Sequence, residues 1–127
     1  MIYISSPYSH ESPIVRDARV MDSARLAARL IRDGMTAYSP LAHAASIERL
    51  CGHIDYDKWM HHCMMMLEKA DVVYLLKTPG WNKSHGVRKE IEYALRERKD
   101  IWTLKYPVQS YGTLFMSRVT GEINWEE

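Results

Sequence analysis

A single α/β domain of Rossmann-like (flavodoxin-like) type is the fold class this 127-residue sequence predicts, with a parallel sheet of four to five strands and helices on both faces. Three observations predict it. Short apolar runs alternate with segments of helical period, in the order β-α-β-α-β-α-β that builds parallel sheets. The run Val72-Val73-Tyr74-Leu75-Leu76 reads as a fully buried central strand. It leads through a Gly-containing loop into a helical pattern that begins near Ser84 and carries Ile91, Ala94 and Leu95 on one face. In an open α/β sheet such a junction lies at the carboxyl end of a strand, where ligands bind.

In chain order, Met1–Ser5 reads as the first strand, and Ser6-Pro7-Tyr8-Ser9-His10 breaks its pattern. Ser12-Pro13 combines an N-cap with proline at the first helical position. Val15, Ala18, Ala24, Ala27, Leu30 and Ile31 then keep helical spacing as far as Arg32, and Gly34 is a natural C′ stop. This opening β-loop-α unit lacks GxGxxG, so no dinucleotide cofactor is expected. Met35–Ser39 is the second strand, ended by Pro40, and Leu41–Ile54 reads as irregular or weakly helical. Asp57–Lys69 is a helix with Trp59, Met60, Cys63, Met64 and Leu67 as its apolar stripe. After the central strand come a helix at Ser84–Arg98 and a fourth strand at Ile101–Leu104. Beyond Pro107 the pattern leaves strand, helix and subunit contact all open.

Composition narrows the function classes. With 46% hydrophobic and 26% charged residues, the chain is an ordinary globular domain, 1–127, long enough to bury a core. A net charge of +1 makes no electrostatic case for a nucleic-acid polymer or a membrane as partner. Two cysteines are too few for a disulfide framework, which makes a reducing cytoplasmic compartment the expectation. Neither a signal peptide nor a run of membrane-spanning length is expected. His61 and His62 are adjacent and diverge on a helix, and no HxxxH pair occurs, so no metal site is expected.

The chemistry concentrates in Gly80-Trp81-Asn82-Lys83-Ser84-His85-Gly86-Val87-Arg88-Lys89-Glu90. Ser84 is a good N-cap, and the free N–H groups beyond it suit an anion such as a phosphate. Gly86 and Glu90 are four apart on one helix face. The bare Gly86 lets a ligand lie against the backbone and still reach the Glu90 carboxylate, a nucleophile or base. Set against this, Ser at an N-cap and Glu in an early turn are also ordinary solubilising choices.

Three segments together resemble the nucleoside 2-deoxyribosyltransferase-like superfamily, in a bacterial and phage branch with PYSH, SPxAH and GWxxSxG motifs. They are Ile2–His10, Tyr38-Ser39-Pro40-Leu41-Ala42-His43, and Gly80-Trp81…Ser84-x-Gly86-x-x-x-Glu90-x-x-x-Ala94. The likeness covers roughly residues 1–105. It implies that Glu90 is the nucleophile, that Tyr3 assists at the sugar and carboxylate, and that Ser84 and Gly86 contact phosphate or sugar. Ser6, Pro7, Tyr8 and Trp81 from the same motifs complete the expected substrate-binding set, with Cys63. The superfamily's helical Asp falls on Cys63, so proton delivery to the leaving base passes to Asp55, Asp57, His62 or no group at all. The resemblance also implies a homodimer or larger homo-oligomer, for which Tyr111, Phe115 and Trp125 offer an apolar surface.

The activity so implied is cleavage or transfer of the N-glycosidic bond of a (2′-deoxy)nucleoside or its 5′-monophosphate. Two alternatives stand beside it. Pro79-Gly80 and Gly86-Val87-x-x-Glu90 faintly resemble the PGGxGTxxE signature of cytokinin-activating phosphoribohydrolases, broken here by Trp81 and the inserted residues. Cys63 in place of Asp points instead to a non-catalytic nucleotide-binding module.

Overall fold

A computed structural model describes residues 1–126, all but the last residue of the 1–127 domain range. Four parallel strands form the sheet: β1 (Ile2–Ser5), β2 (Ala37–Tyr38), β3 (Val72–Leu76) and β4 (Asp100–Leu104). A fifth, β5 (Met116–Arg118), runs antiparallel to β4, and the spatial order is β2-β1-β3-β4-β5. The Rossmann-like prediction holds, with one antiparallel edge strand drawn from the stretch the pattern left open. No helix among the described residues is long and apolar enough to cross a membrane.

Helix α1 (Pro13–Arg32) starts where the cap signal puts it, with Val15 N donating to Ser12 Oγ and Pro13 in the first turn. It stops before Gly34, whose φ of 87° is left-handed. The largest departure is α2 (Pro40–Cys51), a full helix where an irregular or weakly helical stretch is expected. Ser39 caps it by accepting Ala42 N at 3.1 Å, and Pro40 is pre-set for the first turn. Its buried Pro40, Leu41 and Ala44 are too few to show a helical period, and packing against α1 supplies what the pattern lacks. Helix α3 (Tyr56–Glu68) and α4 (His85–Arg96) match their predicted spans closely.

Strand alternation splits the core in two. Tyr3 packs with Cys63 and Leu67 of α3 and with Val87, Ile91 and Ala94 of α4 on one face. Ile4 packs with Leu26 and Leu30 of α1, Leu76 and Leu104 on the other. After β4 the chain is tied down by α1, whose Arg29 donates to the Gln109 carbonyl at 2.7 Å. Of the three aromatics expected at an assembly surface, Tyr111 and Phe115 are exposed. Trp125 is not part of such a surface: it packs on Trp81 at 5.5 Å between ring centroids, under the Arg88 guanidinium.

Candidate active site

At the carboxyl edge of the sheet a cavity of about 1120 Å³ opens between the loop after β1, the loop after β3, α2, α3 and the amino end of α4. Glu90 belongs to its wall although the residue is only 6% exposed. Strand β1 grips this carboxylate from below. Tyr3 and Ser5 lie two apart and so share a sheet face; the Tyr3 hydroxyl donates to Oε2 and the Ser5 hydroxyl to Oε1 at 2.8 Å. Each oxygen accepts one hydroxyl and keeps further lone-pair capacity toward the cavity.

The electrostatics follow from burial. Desolvation pushes Glu90 up to about 7, against the pull of the Tyr3 and Ser5 hydrogen bonds, which favour the ionised form. Tyr3, fully buried beside that carboxylate, is raised well above the ordinary tyrosine value by burial and then by Glu90. Cys63 is pushed up to about 12, by burial first and by Glu90 second. It is therefore a protonated thiol at neutral pH. Near pH 7 the site holds one carboxyl poised between its two states, with neutral hydroxyl and thiol groups around it.

Helix α4 exists in this place because Ser84 caps it, accepting Val87 N at 3.2 Å, while Val87, Ile91 and Ala94 pack it into the core with Tyr3 and Leu67. Ser84, Gly86 and Glu90 all line the cavity. A Cβ added at Gly86 would meet only Met60 Sδ, at an ordinary 3.8 Å, so no protein atom demands glycine there and the space belongs to the cavity.

The other expected site residues divide. Ser6, Tyr8 and Cys63 line the cavity. Tyr3 does not; it acts on the site through Glu90, from beneath. Pro7 and Trp81 are not brought to the cavity either. Pro7 is fully buried, and the Trp81 ring is taken up by Trp125 and by the Lys77 ammonium at 5.0 Å. Asp55, Asp57 and His62 are likewise absent from the wall. Trp59, which does line it, stacks on His62 at 5.1 Å, and His62 bonds to the Tyr38 hydroxyl at 3.1 Å.

Sequence reasoning missed four residues of the site. Ser5 was legible, being two residues from Tyr3 on the same strand face. Arg19, buried in α1, reads in sequence as one more helix-surface cation. Glu48 and His53, a cavity-lining pair at 3.6 Å, needed the α2 helix to be recognised first. Among the described residues no group of three or more His, Cys, Asp or Glu side chains is placed to hold a metal ion.

Fold and site together define an α/β domain with a buried, hydroxyl-gripped carboxylate at the carboxyl edge of its sheet. The chain belongs to the family described as Domain of unknown function (DUF1937), whose model matches residues 1–105. That stretch contains every residue lining the cavity and stops short of β5 and Trp125. No curated protein matches the chain.

Proposed function

We propose that this protein cleaves or transfers the N-glycosidic bond of a (2′-deoxy)nucleoside or its 5′-monophosphate, with Glu90 as nucleophile. The observation that carries the reading is the Glu90 carboxylate, buried on a cavity wall of ligand size with one hydroxyl on each oxygen. In the first step a Glu90 oxygen bonds to the anomeric carbon as the carbon–nitrogen bond breaks. The electron pair leaves with the base, which takes up a proton. Water or a second base then displaces Glu90 from the glycosyl ester and gives up a proton to the group that served the leaving base, restoring the carboxylate. The hydroxyls of Tyr3 and Ser5 hold the carboxylate in its attacking orientation and favour its ionised form. With a thiol at Cys63, the proton comes from another group of the wall or from water, and Glu48 and His53, paired at 3.6 Å, offer one source. Tyr3, which touches Glu90 but not the cavity, is a positioning residue.

A second reading is favoured by one specific observation. The Cys63 thiol stays protonated beside Glu90 and cannot act as a second carboxylate does, which suits a nucleotide-binding module without turnover. Incubation with a panel of nucleosides and monophosphates, followed by chromatography for free base, tests the first reading. Base release that disappears in Glu90→Gln is the expected result. Calorimetric binding without release supports the module, and neither binding nor release sinks both. The free thiols of Cys51 and Cys63 support a reducing, cytoplasmic setting, and the exposed Tyr111 and Phe115 support a homo-oligomer.

A further inference from the structure

Arg19 projects from α1 into the carboxyl edge of the sheet, and it is only 8% exposed. Its Nη1 donates to the carbonyls of Ser9 at 2.7 Å and Tyr8 at 3.3 Å, and its Nη2 to the carbonyl of Pro79 at 2.9 Å. The guanidinium thus ties the loop after β1 to the loop after β3. Gly80 makes room for it: a Cβ there would overlap Nη2, and its φ of 97° also suits glycine. Carbonyl oxygens solvate a cation without neutralising it. Among the described residues no carboxylate lies within ion-pair distance of Arg19. A guanidinium has five N–H donors, so the Nε and one Nη2 hydrogen are left without an acceptor among the described residues. A buried, uncompensated charge is costly, and this one lines the cavity.

A second, independent observation falls on the same wall. Only two buried side-chain polar atoms among the described residues lack a hydrogen-bond partner, Ser6 Oγ and Thr78 Oγ1, and both follow strands that end at this edge. Ser6 lines the cavity beside Arg19. Unsatisfied buried groups in a folded protein call for an explanation, and a ligand is one.

We propose that Arg19 and Ser6 form an anion subsite that receives the 5′-phosphate of the substrate, and that Arg19 selects nucleoside 5′-monophosphates over free nucleosides. This rests on the N-glycosidic reading of Glu90 and narrows its substrate class. Ser5, bonded to Glu90, and Ser6, on the cavity wall with Arg19, are neighbours in the chain, so the carboxylate and the subsite open into one cavity.

The first probe is inorganic phosphate, followed by calorimetry against chloride at matched ionic strength, so that general screening is removed. Saturable binding is expected, weakened about tenfold or more in Arg19→Lys, which keeps the charge but loses the fork, and several-fold in Ser6→Ala. Ser6→Ala removes only an unpartnered hydroxyl and leaves the fold intact, so it carries the test should Arg19→Lys unfold. The second probe is a 2′-deoxynucleoside compared with its own 5′-monophosphate. The wild type is expected to favour the phosphorylated form at least tenfold, and the variants to lose most of that preference. Phosphate affinity unchanged in both variants, or equal wild-type affinity for the two ligands, overturns the subsite. Phosphate binding with no base release from any substrate leaves the subsite standing and removes the glycosidase reading instead.

Discussion

The two faces of the sheet were built from the same strands and put to different uses. On the α1 face, Ile4, Leu26, Leu30, Leu76 and Leu104 form an aliphatic cluster. On the α3–α4 face, Tyr3, Ser5, Cys63 and Glu90 occupy the corresponding depth. One strand supplies both, because Tyr3 and Ser5 alternate with Ile4. The aliphatic face gains transfer free energy from every buried methylene. The other face gives up part of that gain to keep a carboxyl out of water, and the raised Glu90 is the measure of the cost. Sites kept for function at a cost in stability are a recurrent feature of proteins.

The strongest way to break this comparison is Glu90→Gln. Activity is expected to fall by about a thousandfold or more, since an amide neither forms the ester nor offsets cationic charge. Stability is expected to move the other way. Unfolded, Glu90 loses its proton near the ordinary glutamate value; folded, it keeps the proton to about 7. Between those values the folded state binds more protons, so stability falls as pH rises, and above about 7 the loss is complete. The shift corresponds to about 3 kcal/mol. Denaturant unfolding at pH 5 and pH 8 should show the variant gaining on the wild type by roughly that amount. A variant no more stable than wild type at pH 8 contradicts the cost assigned to this carboxylate.

On the aliphatic face the signs separate differently. Leu30→Ala is expected to cost about 3 kcal/mol through lost transfer and a residual cavity. Surviving folded protein should keep its turnover per molecule, because Leu30 lies in the cluster across the sheet from Glu90. A comparable loss of kcat in folded Leu30→Ala would mean the two faces are not independent.

A smaller effect tests the grip on the carboxylate. Tyr3→Phe removes the hydroxyl on Oε2 and keeps the ring. A hydrogen bond to a charged acceptor is worth about 2 kcal/mol, so the ionised form is disfavoured and Glu90 rises by about one pH unit or more. The acid limb of kcat/KM, centred near 7 in the wild type, should move upward in the variant, while the rate at high pH recovers much of its value. An unmoved limb would mean that Tyr3 does not tune Glu90.

Much of this arrangement was legible in the sequence, for identifiable reasons. Strands β1 and β3 and helices α1, α3 and α4 announce themselves through period, caps and turn residues, all of which are local. The pairing of Glu90 with Ser84 and Gly86 is local too, lying within two turns of one helix. What stayed hidden depends on contacts across the chain. Helix α2 has little apolar period of its own and rests on α1. Arg19 meets Pro79 across sixty residues, and nothing in α1 marks it off from Arg16 or Arg25. Trp81, an aromatic inside the motif, reads as a ligand contact in sequence, but its ring packs on Trp125, far along the chain.

The smallest expected effect concerns the cap that joins the two uses of the α3–α4 face. Ser84 Oγ satisfies Val87 N and at the same time lines the cavity. Ser84→Ala removes an N-cap, a change worth about 1 kcal/mol of stability. Ser12 caps α1 through a longer contact of 3.5 Å to Val15 N, so Ser12→Ala provides a reference for capping alone, with a loss no greater than that at Ser84. If Ser84 only holds the helix, ligand affinity in Ser84→Ala should match the wild type once folded. If its hydroxyl also meets the ligand, affinity for a 5′-monophosphate should drop several-fold beyond any change in the Ser12 reference, and more than affinity for the bare nucleoside. Calorimetry on the two variants with both ligands decides it, and equal weakening of the two ligand classes would show that no phosphate sits at Ser84. We expect the phosphate-dependent drop, because α4 presents its uncapped N–H groups to the same cavity that Arg19 lines.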